Sequence, residues 1–206
     1  MCDIREDFLN IDGVEIRYKH ANPKESKLNV VLLHGMSFNA DTWIETGTIE
    51  YLCTNGFNVY AVDMPGFGKS KGKRLKRPYA AEFLHKILKK LEVKKPVLVG
   101  PSMGGGIALA YAISFDELSG LVLIAPAGLN DPQIVENLSE ISETPTLIFW
   151  GDKDRVFPVS MSEILTDKLS KSRLVICEGA PHPCYLKATE KFHIELRDFL
   201  ESLIES

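Results

Sequence analysis

The pentapeptide Gly100-Pro101-Ser102-Met103-Gly104 constrains this chain more than any other feature. It follows the apolar run Val97-Leu98-Val99 and leads into Gly105-Gly106-Ile107-Ala108-Leu109-Ala110, so a strand must turn into a helix within a few residues. A serine at so sharp a turn is held in a strained backbone conformation with its hydroxyl at the tip. The flanking glycines remove the Cβ atoms that would keep helix and strand apart. A glycine-rich phosphate cradle is the competing reading of such a turn. It is disfavoured because neither G-x-x-x-x-G-K-[ST] nor G-x-G-x-x-G occurs after Val99.

The rest of the chain supplies the elements such a turn needs. Asp12-Gly13, between Phe8-Leu9-Asn10-Ile11 and the alternating Val14-Glu15-Ile16-Arg17-Tyr18, predicts a tight hairpin. Short, continuous apolar runs follow at Val30–Leu33, Val59–Val62, Val97–Val99, Leu121–Ile124, Thr146–Trp150 and Leu174–Ile176, as expected of strands covered on both faces. Between them Ala80, Phe83, Leu84, Ile87, Leu88 and Leu91 share one helical face, as do Phe192, Leu196, Phe199, Leu200 and Leu203. Ser160 with Glu163 reads as a capping box, and Asp131-Pro132 as an N-cap followed by first-turn proline. The order predicts one α/β domain over residues 1–206, a doubly wound, mostly parallel sheet of about eight strands.

A formal charge of -4 gives no general attraction to nucleic acid or to an anionic membrane, and no apolar run is long enough to span a bilayer. The opening residues lack the apolar core of a signal peptide, so the cytoplasm is the expected location, with a monomer or small homo-oligomer as the expected state. Cys2, Cys53, Cys177 and Cys184 are dispersed without a C-x-x-C, and reduced thiols are expected. The basic stretch Lys69, Lys71, Lys73, Arg74, Lys76 and Arg77 could serve an acidic partner or a phosphorylated substrate, but in so acidic a chain it reads as a solvated loop before Pro78 and is assigned no function.

A serine hydroxyl is a weak nucleophile, so Ser102 requires a base and a group that orients the base. Trp150-Gly151-Asp152-Lys153-Asp154 and Gly179-Ala180-Pro181-His182 both lie just past strand ends, at the edge of an open α/β sheet where sites form. Asp154 is preferred to Asp152 because the loop needs two or three residues beyond the strand to reach His182. Asp152 then becomes a turn residue, its side chain bonded to backbone. His85 and His193 fall within helical patterns, and His20 just past the hairpin. His34, in Leu33-His34-Gly35-Met36, is read as structural, while its turn is functional. An oxyanion needs two fixed N–H donors, and those of Met36 and Met103 are the candidates. The chain has no H-E-x-x-H, and His182 with Cys184 is too few ligands for zinc, so neither metal nor cofactor is expected. Cys184 reads as a buried, inert thiol.

These landmarks, with Asp63-Met64-Pro65-Gly66-Phe67-Gly68-Lys69-Ser70, resemble the α/β-hydrolase superfamily over nearly the whole chain. The short length, Thr42-Trp43 and Gly179-Ala180-Pro181-His182-Pro183-Cys184-Tyr185-Leu186 are similar to its small lidless α/β-hydrolase domain-containing protein 14 subfamily. At the serine turn the chain departs from that subfamily and carries the more general superfamily form. The resemblance implies an α/β-hydrolase fold and hydrolysis of small esters or of acylated lysine, through Ser102, Asp154 and His182. The competing class is a binding protein that kept the fold and lost catalysis. Ala125–Pro145, where the superfamily usually inserts a lid, is too short for one. An open pocket lined by Met36, Met103 and Phe157, taking a short acyl group from a small molecule or an acylated peptide, is therefore expected.

Overall fold

The chain starts with strands β1 (Arg5–Ile11) and β2 (Val14–Ala21), joined by Asp12 and Gly13 at φ 51° and 84°. Two consecutive positive φ angles are what a two-residue turn requires if its twist is to match that of the strands. Asn10 Oδ1 accepts the Gly13 N–H at 2.9 Å and closes the turn. This computed structural model describes residues 2–115 and 117–205.

The six further strands are β3 (Asn29–Leu32), β4 (Asn58–Val62), β5 (Val97–Pro101), β6 (Gly120–Ile124), β7 (Thr146–Gly151) and β8 (Ser172–Cys177). They form one eight-stranded sheet with β1 and β2, in the order β1-β2-β4-β3-β5-β6-β7-β8. From β4 to β8 every neighbour is parallel. The chain runs outward from β3 to β4 and then returns to the other side of β3 with β5. The C-terminal ends of β3 and β5 therefore flank the point where strand order reverses, and loops leaving them diverge to open a crevice.

Alternation within the buried strands divides the core into two layers. Val31, Leu98, Leu121, Leu123, Ile148 and Trp150 face helices α3 (Arg77–Lys90) and α4 (Met103–Ser114) and the shorter α5 (Pro132–Asn137) and α6 (Ser162–Lys168). Val30, Leu32, Val97, Val99, Val122, Leu147 and Phe149 face α1 (Thr42–Glu45), α2 (Thr48–Thr54), α7 (Cys184–Lys187) and α8 (Thr189–Glu205). Helices on both faces explain why these strands read as continuous apolar runs. The face expected of α3 buries Ala80, Leu84, Ile87 and Leu88, and that of α8 buries Phe192, Leu196, Phe199 and Leu200. Between β6 and β7 lie only α5 and a single 3-10 turn, Leu138–Ile141, so there is no separate lid domain.

Several expectations need correction. Cys2 and Cys53 are joined in a disulfide across 51 residues, because the segment before β1 reaches α2 at a Cα separation of 6.1 Å. Ser160 does not cap a helix: it lies in a 3-10 turn, Val159–Met161, and α6 begins beyond it with Ser162 Oγ donating to the Val159 carbonyl. His20 belongs to β2 itself, opposite Arg5. Helices α1, α2 and α7 were not predicted. At four to seven residues they are too short to establish a period, and Gly47, at φ 70°, separates the first two. Among the described residues no helix is long and apolar enough to cross a membrane.

Candidate active site

Ser102 lies between β5 and α4 at φ 49° and ψ -113°, a conformation that costs roughly 1–3 kcal/mol for a residue with a side chain. The surroundings hold it there. Its N–H donates to the Ile124 carbonyl at 2.9 Å, and its own carbonyl accepts from Gly106 at 3.0 Å and Ala127 at 2.9 Å. The glycines are required by contact. A Cβ on Gly100 would lie 2.3 Å from the Gly104 carbonyl carbon, and one on Gly104 2.9 Å from both the His34 oxygen and the Leu33 Cβ. With hydrogens in their place, α4 starts directly against β5 and β3.

The loop after β7 carries the acid. Asp154 has a fully buried side chain whose Oδ1 accepts the N–H groups of Val156 and Phe157, each at 2.8 Å. Its Oδ2 meets His182 Nδ1 at 2.7 Å. The histidine loop reaches it by crossing the end of β7 at Gly151, where a Cβ would stand 2.3 Å from the Ala180 oxygen. Lys153 N–H donates to that oxygen at 3.0 Å. Phe157 presents an edge to the His182 ring, with centroids 5.1 Å apart, and Trp150 Nε1 holds the Phe157 carbonyl at 2.9 Å. Asp152 does not make the expected backbone bond: its Oδ1 is buried without a hydrogen-bond partner, and Oδ2 is 3.8 Å from Lys153 Nζ. The turn at this position is closed instead by backbone groups, Asp152 N–H donating to the Cys177 carbonyl.

Beyond β3, His34 is buried and bonded on both ring nitrogens. Met64 N–H donates to Nε2 at 3.1 Å, which leaves the proton on Nδ1 to reach the Gly35 carbonyl at 2.8 Å. Burial pushes the imidazole pKa down, and the Gly35 bond opposes that only in part. A Cβ on Gly35 would lie 4.0 Å from that of Ser102, so the turn leading to Met36 runs beside the serine. Met103, first residue of α4, has an N–H with no carbonyl one turn earlier in the helix to bind.

Ser102, His182, Met36, Met103 and Phe157 all line one cavity of about 570 Å³. Cys184 does not; it is fully buried, and burial pushes its thiol up to about 12. Sequence reasoning left out two contributions. Lys76 and Arg77, from the stretch read as a solvated loop, form part of the cavity wall together with Leu75. Arg17 is buried among Asp63, Asp41 and Glu6, and Asp63 in turn accepts Ala40 N–H at 2.7 Å and Lys69 N–H at 2.8 Å. The nearest signal for the second was Asp63 in the run ending at Ser70. Among the described residues no cluster of three or more His, Cys, Asp or Glu side chains is arranged to hold a metal ion.

Residues 29–144 match the model of the α/β hydrolase fold family. The chain belongs to the α/β-hydrolase family. Within it, the chain is 33% identical to the protein of Pongo abelii named "Putative protein-lysine deacylase ABHD14B" over 97% of this chain and 96% of the relative. It is 32% identical to the human protein of the same name, with the same shares covered. A solved structure described as a predicted CIB-like hydrolase from Thermoplasma acidophilum superposes with a TM-score of 0.92 at 31% identity, covering 98% of this chain and all of the other. This α/β hydrolase thus has relatives of its own size on both comparisons, and hydrolysis is the general activity its family membership supports.

Proposed function

We propose that the chain is a serine hydrolase in which Ser102 is the nucleophile, His182 the base and Asp154 its orienter. The observation that carries this reading is the His182 Nδ1 to Asp154 Oδ2 bond of 2.7 Å. Because the carboxylate accepts from Nδ1–H, Nε2 keeps its lone pair, and His182 lines the same cavity as Ser102. Ser102 Oγ attacks the substrate carbonyl while its proton passes to Nε2, and the oxyanion is met by the N–H groups of Met36 and Met103. Collapse breaks the bond to the alcohol or amine, which takes the proton from His182 and departs. Water, deprotonated by the same Nε2, then releases the acid and restores Ser102.

The substrate class follows from the missing lid and from the relatives. Without a lid the departing half of the substrate is left open to solvent, which suits a short acyl group on a small ester or on a lysine side chain, the latter in keeping with the relatives' name. Labelling with a fluorophosphonate probe and mapping the adduct by mass tests the mechanism. The expected adduct is on Ser102, and Ser102→Ala should abolish labelling and lower turnover of a short ester at least about a thousandfold. Turnover within tenfold of the parent, from a preparation free of host esterases, would reject it.

A further inference from the structure

The wall of the cavity that holds Ser102 carries charge of one sign. Lys76 and Arg77 line it, and no aspartate or glutamate among the described residues does. In a chain with a formal charge of -4, composition alone does not supply such a wall. Lys76 is exposed and makes no ion pair among the described residues.

Arg77 has a built seat. Its Nε lies 3.1 Å from where a Cβ on Gly106 would stand, and its guanidinium carbon 2.7 Å from the same atom on Gly128, whose φ is +105°. Gly106 and Ala127, the neighbour of Gly128, are the two residues whose N–H groups bind the Ser102 carbonyl. The guanidinium therefore rests on the backbone that fixes Ser102, against Gly106, which lies about one helical turn (~5.4 Å of axial rise) further along α4. Asp131 Oδ2 accepts a hydrogen bond from Arg77 Nη1 at 3.2 Å, and its Oδ1 caps α5 by accepting the Gln133 N–H. An arginine has five N–H groups, and a partly exposed pair of this kind contributes little to stability. The glycine-lined seat and the remaining donors point to a ligand.

We infer, on the reading of Ser102 as nucleophile, that the substrate carries a carboxylate remote from the bond that breaks, bound by Arg77 and Lys76. A carboxylate four or five carbons from the scissile carbonyl, or an equal distance along the departing half, spans about the rise of one helical turn that separates Gly106 from Ser102. The carboxylate takes no part in bond making or breaking; it is held in place by charge-assisted hydrogen bonds.

Matched esters, followed by acid release at constant pH, test this. Monoethyl glutarate against ethyl pentanoate exchanges a terminal carboxylate for a methyl group on the acyl half, and 4-acetoxybutanoate against butyl acetate does so on the departing half. In one pair the anionic ester should have kcat/KM at least about tenfold higher, and that pair identifies the half recognised. The ratio should drop towards one in Arg77→Met, drop in part in Lys76→Met, recover in part in Arg77→Lys, and shrink as salt rises from about 0.05 M to about 0.5 M. Should Arg77→Met fail to fold, Lys76→Met, altered at an exposed side chain, reads the same ratio. Hydrolysis of the neutral esters with no anionic preference, or a preference that survives loss of both cations, overturns this inference alone. Hydrolysis of none of the four together with no label on Ser102 rejects the nucleophile and this inference with it.

Discussion

Replacing Asp154 by asparagine tests how the histidine is held, and the structure fixes which way the new amide must point. Oδ1 of Asp154 accepts two backbone N–H groups, from Val156 and Phe157, so an amide NH₂ cannot sit there without leaving both donors unpaired in a buried site. The amide oxygen takes that position and the NH₂ faces His182 Nδ1. Nδ1 must then accept, the ring proton moves to Nε2, and Nε2 no longer has a lone pair for the Ser102 proton. The same acid-to-amide exchange in serine proteases lowers kcat about 10⁴-fold, and a loss of at least about 10³-fold is expected here. The fold should survive. Bonds to a charged acceptor contribute about 1.5–3 kcal/mol and to a neutral one about 0.5–1.5, so the two backbone bonds weaken by roughly 1 kcal/mol each and remain formed. Asp152→Asn should change kcat less than about threefold, because Asp152 Oδ1 has no hydrogen-bond partner, Oδ2 lies near Lys153 Nζ, and Asp152 does not line the cavity. Steady-state turnover of a short ester, with near-ultraviolet circular dichroism as the fold control, reads both variants. If Asp152→Asn is the more damaging, the acid has been misassigned.

Two further outcomes concern stability. Reducing the Cys2–Cys53 disulfide, or replacing Cys53 by serine, frees a loop closed across 51 residues; chain entropy sets an upper bound of about 4 kcal/mol, a fall in Tm of roughly 8–16 °C, and an unchanged Tm in a fluorescence melt with and without reductant would show the bridge contributes nothing. Burial lowers the pKa of His193, so the unfolded chain binds the proton more readily, and the associated stability is present above the unfolded pKa of about 6.5 and lost as pH falls below it. His193→Phe keeps the ring stacked on Tyr51 and should shrink the decline in Tm between pH 7.5 and pH 5; a decline as steep as the parent's would dissociate His193 from the acid sensitivity.

What was legible in the sequence was whatever one segment could specify by itself. The hairpin was readable because Asp12-Gly13 can adopt two positive φ angles, and the parallel strands because burial on both faces leaves continuous apolar runs. That Asp154 and His182 lie near one another, as their 2.7 Å bond shows, was readable because both follow the ends of neighbouring strands, β7 and β8. Features that depend on what another segment places nearby were not readable. Cys2 and Cys53 meet only because the N-terminal segment lies against α2. Gly151 looks like a turn glycine, yet its contact is with Ala180 and Pro181, a later part of the chain. The basic stretch is exposed over most of its length, as read, but its last two residues turn into the cavity wall where α3 begins.

Arg17 shows why alternation is an incomplete guide to function. In Val14-Glu15-Ile16-Arg17-Tyr18 the pattern assigns Arg17 to a polar face, but it is 1% exposed, because the loop after Asp63 folds over that face. Ser70 Oγ accepts the Arg17 N–H at 2.9 Å, and Lys71 N–H donates to the Glu15 carbonyl at 2.8 Å. Burial by itself would lower the guanidinium pKa, but bonds to Asp41, Asp63 and Glu6 outweigh it and raise the pKa. Glu6, shared with Lys69 and Lys19 as well as Arg17, is held down at about 2. Arg17 and Asp63 are out of water, which is unfavourable unless both are paired, so their bonds tie together the segments that supply the cluster. Those segments are the hairpin, the turn after β4 and, through Asp63 Oδ1 and Ala40 N–H, the far end of the loop that starts at Gly35. His34 ties the near end of that loop to Met64. Met36 thus lies between two anchors that both lead to the turn at Asp63 and Met64, and the hairpin at the sheet edge becomes part of what sets the position of Met36 in the cavity it lines with Ser102.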